Sequence, residues 1–165
     1  MHDRSAMERR IGNGHSALRR GRVSVSGAVY LVTTVVRDRA PAFANPEAAK
    51  AVCRLHGVPR VFLDATVLAW VLMPDHWHGV IELGTDAPLS RVIQNFKSLS
   101  ARHVQRVLGA AGPFWQSAFH DRALRDEAEW IAATCYVREN PVRAGLCRVA
   151  ADYPYAGDVS RKSGW

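Results

Sequence analysis

No stretch of the chain approaches the roughly 20 consecutive apolar residues that a bilayer-spanning helix needs. Nor does an apolar segment follow the basic N-terminus, as it would in a secretory leader. The three cysteines, Cys53, Cys135 and Cys147, form no CxxC pair. That argues against a disulfide framework and suits a reducing compartment, so a cytoplasmic, nucleoid-associated protein is expected. Acidic residues are scarce: 15 Asp and Glu face 22 Lys and Arg, a net charge of +7. The surplus points to a polyanion, nucleic acid ahead of an acidic membrane surface. Internal repeats and low-complexity blocks are absent. So is the K/R-G-F/Y-G/A-F pattern with which an RRM sheet stacks bases. What remains is ordinary for one globular domain of 165 residues, with 48% hydrophobic and 22% charged residues.

Residues 1–22 are poor in apolar side chains but carry Arg4, Arg9, Arg10, Arg19, Arg20 and Arg22. They read as a flexible basic arm, either a solvated tail or a grip on phosphates. Residues 29–36 are rich in β-branched side chains and predict a strand. Asn45 followed by Pro46 predicts a helix start, and Gly57 and Pro59 its end. An apolar run over 61–73 predicts a central strand.

The Pro74-Asp75 turn signal separates that run from a third strand over 76–83. His76 and His78 open it. Side chains at i and i+2 of a strand share a face, so both imidazoles can lean toward one ion while Trp77 turns to the core. A His-x-His pair alone is more often a plain polar sheet face than a metal site.

A long helix is expected after a cap at Thr85 or Asp86, with Leu89, Val92, Ile93, Phe96, Leu99, His103 and Val107 as its apolar stripe. Arg91, Arg102 and Arg106 fall opposite, as a solvated face or a phosphate-tracking one. Lys97 sits at the stripe's edge, where its stem can be buried and its amine can reach a groove. Residues 114–120 suggest a fourth strand. Asp126 with Glu129 resembles a capping box for a last helix that ends at Asn140, because proline follows. Its stripe is Trp130, Ile131, Thr134 and Val137. Tyr136 and Asn140, four residues apart, project together from another side. The order β-α-β-β-α-β-α predicts an α+β, ferredoxin-like (RRM-like) antiparallel sheet with helices packed on one face. The other face would be free for a single nucleic-acid strand.

Three blocks taken together are specific. Met73-Pro74-Asp75-His76-Trp77-His78, Phe114-Trp115-Gln116 and Tyr136-Val137-Arg138-Glu139-Asn140-Pro141-Val142-Arg143-Ala144-Gly145-Leu146 resemble the REP-associated tyrosine transposases of the single-tyrosine HUH superfamily. The likeness runs over about 21–155. With the basic arm at 1–22 and an irregular tail at 148–165 read from composition, the resemblance implies a transposase domain at 23–147. It implies that Tyr136 is the nucleophile, that His76 and His78 bind a metal, and that Asn140 is a third ligand or steers one. Trp77 is bulky for the residue between the histidines. Imidazole ligands alone favour zinc or manganese, whereas the resemblance implies Mg²⁺ or Mn²⁺. It also implies single-stranded DNA substrates beside REP-type hairpins, handled by a monomer or homodimer. Arg19, Arg20, Arg22, Arg91, Lys97, Arg102 and Arg106 are the candidate DNA contacts. Two rival readings are an RRM-like binding module without chemistry and a hydrolase in which His120 completes a three-histidine site.

Overall fold

The computed structural model describes residues 24–158. The expected arm, with Arg19, Arg20 and Arg22, lies outside the described residues. Eight main elements follow in order: β1 (Val29–Val35), α1 (Pro46–Leu55), β2 (Thr66–Met73), β3 (His76–Glu82), α2 (Leu89–Leu108), β4 (His120–Leu124), α3 (Glu127–Arg143) and β5 (Ala156–Asp158). The strands form one antiparallel sheet in the order β4-β1-β3-β2-β5. The expected α+β class and the order of the first seven elements hold.

Period-2 alternation sorts the sheet residues between two cores. Tyr30, Val32, Leu72, Trp77 and Ile81 face α1 and α2, which pack on each other and on that side of the sheet. Ala69, Val71, Met73 and Val80 face the other way and meet Ala133 and Val137 of α3. A bulge between Val67 and Ala69 sets the register of β2. One placement differs from expectation: α3 lies on the face opposite α1 and α2. The sheet face that an RRM leaves open is therefore partly covered.

The sequence patterns that misled have local causes. The second strand begins at Thr66, not Val61. Val61 and Phe62 are apolar because they fill the core, but they sit in a turn with left-handed Arg60 (φ 66°) and Leu63 (φ 54°). The Asn95 amide donates to the Arg60 and Val61 carbonyls and pins that turn. Helix α2 is capped at Pro88 rather than Thr85 or Asp86, with no side-chain cap bond. Ser100 and Val104 are buried in place of His103 and Val107. Phe114 and Trp115 are core plugs against Phe43, not a strand; β4 begins at His120. Helix α3 continues through Pro141 to Arg143, tolerable so near its end because proline removes only one late ladder bond. Its buried residues are Ala133, Val137 and Pro141, while Ile131 is 53% exposed. The tail expected to be irregular holds a 3-10 turn at Ala150–Asp152 and the strand β5. Asp126 does cap α3 by accepting from Glu129 N–H, and Glu129 in turn accepts from Arg125 N–H.

A polar pair sits inside the α1/α2 core. The Trp77 indole donates to His56 Nε2 at 3.1 Å, and His56 Nδ1 lies 3.2 Å from the Val52 carbonyl, so the ring is satisfied only when neutral. Burial pushes His56 down to about 4. An unfolded histidine titrates near 6.5, so the unfolded chain binds the proton first. This contribution to stability is complete above pH 6.5 and lost as pH falls from 6.5 through about 4, a change on the order of 3 kcal/mol. His56→Gln, whose amide oxygen can still accept from Trp77, should show a flatter loss of unfolding free energy across that window in denaturant titrations. Identical slopes for the two proteins would contradict this.

Candidate active site

The Pro74-Asp75 turn joins β2 to β3, with Met73 opposite His76 in the register. Strand alternation then sends Trp77 into the α1/α2 core, fully buried, and His76 and His78 to the α3 side. The bulk of Trp77 is accommodated by Gly79: a Cβ there would overlap the indole ring. The two imidazoles stand edge to face with centroids 4.6 Å apart.

Each ring is fixed through Nδ1. His76 Nδ1 lies 2.5 Å from Asp75 Oδ1, and Asp75 Oδ2 accepts from Arg39 at 3.1 Å. His78 Nδ1 lies 2.7 Å from the Thr33 hydroxyl on β1. A carboxylate can only accept, so His76 donates from Nδ1, which leaves Nε2 as its ligating atom. Burial alone would raise the Asp75 carboxyl, but its bonds to His76 and Arg39 prevail and hold it below the usual range. Burial above all, with the Arg143 charge adding to it, pushes His78 down to about 3, so it stays neutral. Neutral imidazoles oriented by a polar partner on the second nitrogen are what a metal requires of histidine. The Arg39 side chain is aimed by a turn in which Asp38 (φ 57°) and Arg39 (φ 52°) are both left-handed, a strained conformation for non-glycine residues.

Helix α3 supplies the third group. Its small Ala133 lets the helix settle on the sheet, and Tyr136, half-buried, places its ring edge-on to His78, 5.8 Å between centroids. Tyr136 and Asn140 flank the buried stripe rather than standing clear of it. The buried Asn140 Nδ2 has no hydrogen-bond partner. A cleft of about 90 Å³ opens here, lined by Leu31, Thr33, His78 and Tyr136 and, from β4, His120 and Arg122.

The expected basic residues lie elsewhere. Helix α2 is behind the sheet, on the far face from the histidines. There Arg102 bonds within its own helix, and Arg91 borders a separate groove beside Arg60. The Lys97 amine donates to the Gln116 carbonyl at 2.6 Å and the Ser117 carbonyl at 3.1 Å, and so ties down the chain leading into β4. Thr33, Asp75, Arg39, Arg122 and Arg143 border the site without having been singled out. Asp75, next to His76, and Arg143, seven residues after Tyr136, were readable from spacing; Thr33 and Arg122 needed the strand register.

Among the described residues, no group of three His, Cys, Asp or Glu is placed to hold a metal. His120 pairs with Thr33 two strands from His78, roughly 9.5 Å at normal strand spacing, and does not complete a three-histidine site. The donors present are the two imidazoles; the unpartnered atom of Asn140 is its Nδ2, which donates hydrogen bonds, so only the Oδ1 of that side chain could add a ligand. That set fits a cation which keeps open positions for substrate oxygens. Among the described residues no helix is long and apolar enough to cross a membrane.

The fold is that of a transposase. The solved structure of a REP-associated tyrosine transposase bound to a REP hairpin superposes with a TM-score of 0.64 at 19% identity, over 82% of this chain and 79% of that one. A putative transposase from Deinococcus radiodurans aligns with a TM-score of 0.46 at 16% identity, over 73% of this chain and 96% of that one. Residues 24–140 match the family described as "Transposase IS200 like", and the chain belongs to that family. A search of curated proteins finds no match.

Proposed function

We propose that this transposase-family protein nicks and rejoins single-stranded DNA beside REP-type hairpins through a covalent 5′-phosphotyrosine at Tyr136. The observation that carries the reading is the Tyr136 ring standing edge-on to His78, beside His76, on the sheet face that α3 partly covers. The phenol and the His78 imidazole then border one cleft, and the His76 ring stands against His78. One chain supplies all three, so a monomer is sufficient for a complete site and a homodimer is not required.

In the first step the Tyr136 phenolic oxygen attacks a DNA phosphorus. The bond from phosphorus to the 3′ oxygen breaks, and the phenolic proton is balanced by the proton gained by the departing 3′ hydroxyl. One phosphodiester replaces another, so no ATP is needed, and a DNA 3′ hydroxyl can reverse the exchange. His76, His78 and Asn140 would hold Mg²⁺ or Mn²⁺, which when bound supplies Lewis-acid stabilisation of charge on the phosphoryl oxygens. Asp75 and Thr33 fix the tautomer and direction of the two rings. Tyr136, half-buried, is held beside them and partly screened from water. The basic arm, with Arg19, Arg20 and Arg22, and the nearer Arg122 would grip the phosphates, so binding should weaken as salt rises. Arg91, Arg102 and Arg106 can meet only DNA that wraps behind the sheet.

End-labelling tests the polarity. With a hairpin-bearing single strand and Mg²⁺ or Mn²⁺, a 3′ label should become protein-bound, while a 5′ label is released on a piece with a free 3′ hydroxyl. Release of both labels with none on the protein would mean hydrolysis and overturn the proposal. Binding without any cleavage would reduce the protein to a DNA-binding module.

A further inference from the structure

We propose that Arg143 is a positioning residue for the Tyr136 nucleophile: its guanidinium locks the ring in the orientation that faces His78. The inference rests on the function proposed above. Tyr136 and Arg143 are seven residues apart on α3, two helical turns, and so lie on one side. Long helical side chains lean toward the N-terminus, and Arg143 does so. Its Nη2 donates to the Tyr136 carbonyl at 2.9 Å, and its Cζ lies 4.2 Å from the centre of the Tyr136 ring. The phenol is thus held on two sides, with the guanidinium over its face and His78 against its edge.

The last turn of α3 suits this device. Pro141 has no N–H to give to Val137, and its ring crowds that carbonyl. That ladder bond is missing in the same turn from which Arg143 reaches back to the backbone. A half-buried tyrosine without such a brace can leave the cleft by rotating about its first side-chain torsion. Attack needs the oxygen held near the phosphorus and in line, so the brace should affect the rate of attack more than DNA binding. The bond to Tyr136 uses one of five guanidinium donors, and the exposed group leaves its charge at the mouth of the cleft.

A basic residue in the last turn of a helix can also serve simply to oppose the helix dipole. Lysine keeps that role and its charge, but not the planar contact with the ring. The test is single-turnover adduct formation at saturating single-stranded hairpin DNA, for wild type, Arg143→Ala, Arg143→Lys and Tyr136→Phe, with DNA affinity measured alongside. Arg143→Ala should form adduct about 100-fold more slowly, with affinity changed less than about threefold. Arg143→Lys should be slowed by at least about tenfold. Added guanidinium ion should partly restore Arg143→Ala and do nothing for Tyr136→Phe. The inference is overturned if Arg143→Lys matches wild type, or if folded Arg143→Ala keeps its rate. It is also overturned if rate and affinity fall together without rescue. Should Arg143→Ala fail to fold, the lysine variant decides. A wild-type adduct that Tyr136→Phe abolishes upholds the proposed function whatever Arg143 does; absence of any wild-type adduct sinks both.

Discussion

Tyr136→Phe is expected to abolish the protein–DNA adduct, with at least about a 10⁴-fold loss of cleavage rate. The substitution removes one oxygen and leaves the ring, its contact with His78 and the cation above it in place. The hydroxyl serves no part of the buried core, where α3 is held by Ala133 and Val137. The melting temperature should therefore stay within about 2 °C of wild type, and hairpin affinity within about twofold. Such a split between chemistry and folding is what distinguishes a nucleophile from a packing residue. Cleavage that survives at more than about a tenth of the wild-type rate would show that the phenol is not the attacking group.

The second large effect concerns the histidines. His76→Ala and His78→Ala should each lower divalent-ion-dependent cleavage by about 10²- to 10³-fold, and the double variant by little more, because the two rings act as one unit. Isothermal titration with Mn²⁺ should show the same loss directly. The two single variants should differ in stability. His76 is partly exposed on the α3 side, whereas His78 is buried and bonded to Thr33, so His78→Ala leaves the Thr33 hydroxyl without its partner and should destabilise more. Asp75→Asn is the milder form of the same experiment. It leaves both ligands present but removes the charged acceptor on His76 Nδ1, and metal affinity should fall about 10- to 100-fold. Equal Mn²⁺ affinity in wild type and the double variant would remove the histidines from the metal site.

Much of this arrangement was legible in the sequence because it follows from strand period and turn chemistry. The Pro74-Asp75 turn and the alternation after it place His76 and His78 on one face and Trp77 on the other. Asn45 and Asp126 carry their caps in the side chain itself. The resemblance then linked Tyr136 to the histidines, which no local rule could do across sixty residues of chain. The failures share a cause. Val61, Phe62, Phe114 and Trp115 are apolar because of where they end up, in a turn and a connecting segment that fill the core, and hydrophobicity alone does not distinguish these from strands. On helix α3 the expected Val137 is buried and Trp130 packs beside it, but small Ala133 and Pro141 close on the sheet where Ile131 does not. The residues that close on the sheet are those whose lack of bulk permits it. Lys97 looked available for DNA because its three carbonyl partners come from a segment nineteen to twenty-one residues away. The neighbours of the site on β1 and β4, Thr33 and Arg122, become visible only once the register aligns them with His78 and Leu31.

The most direct measurement is to identify the residue that carries the DNA. Wild-type protein is incubated with a hairpin-bearing single strand and Mg²⁺ or Mn²⁺, the adduct is digested with protease and nuclease, and the modified peptide is sequenced by mass spectrometry. A nucleotide 5′-phosphate on the Tyr136 oxygen is the predicted result. The same modification on any other residue, with Tyr136 unmodified, would contradict the account.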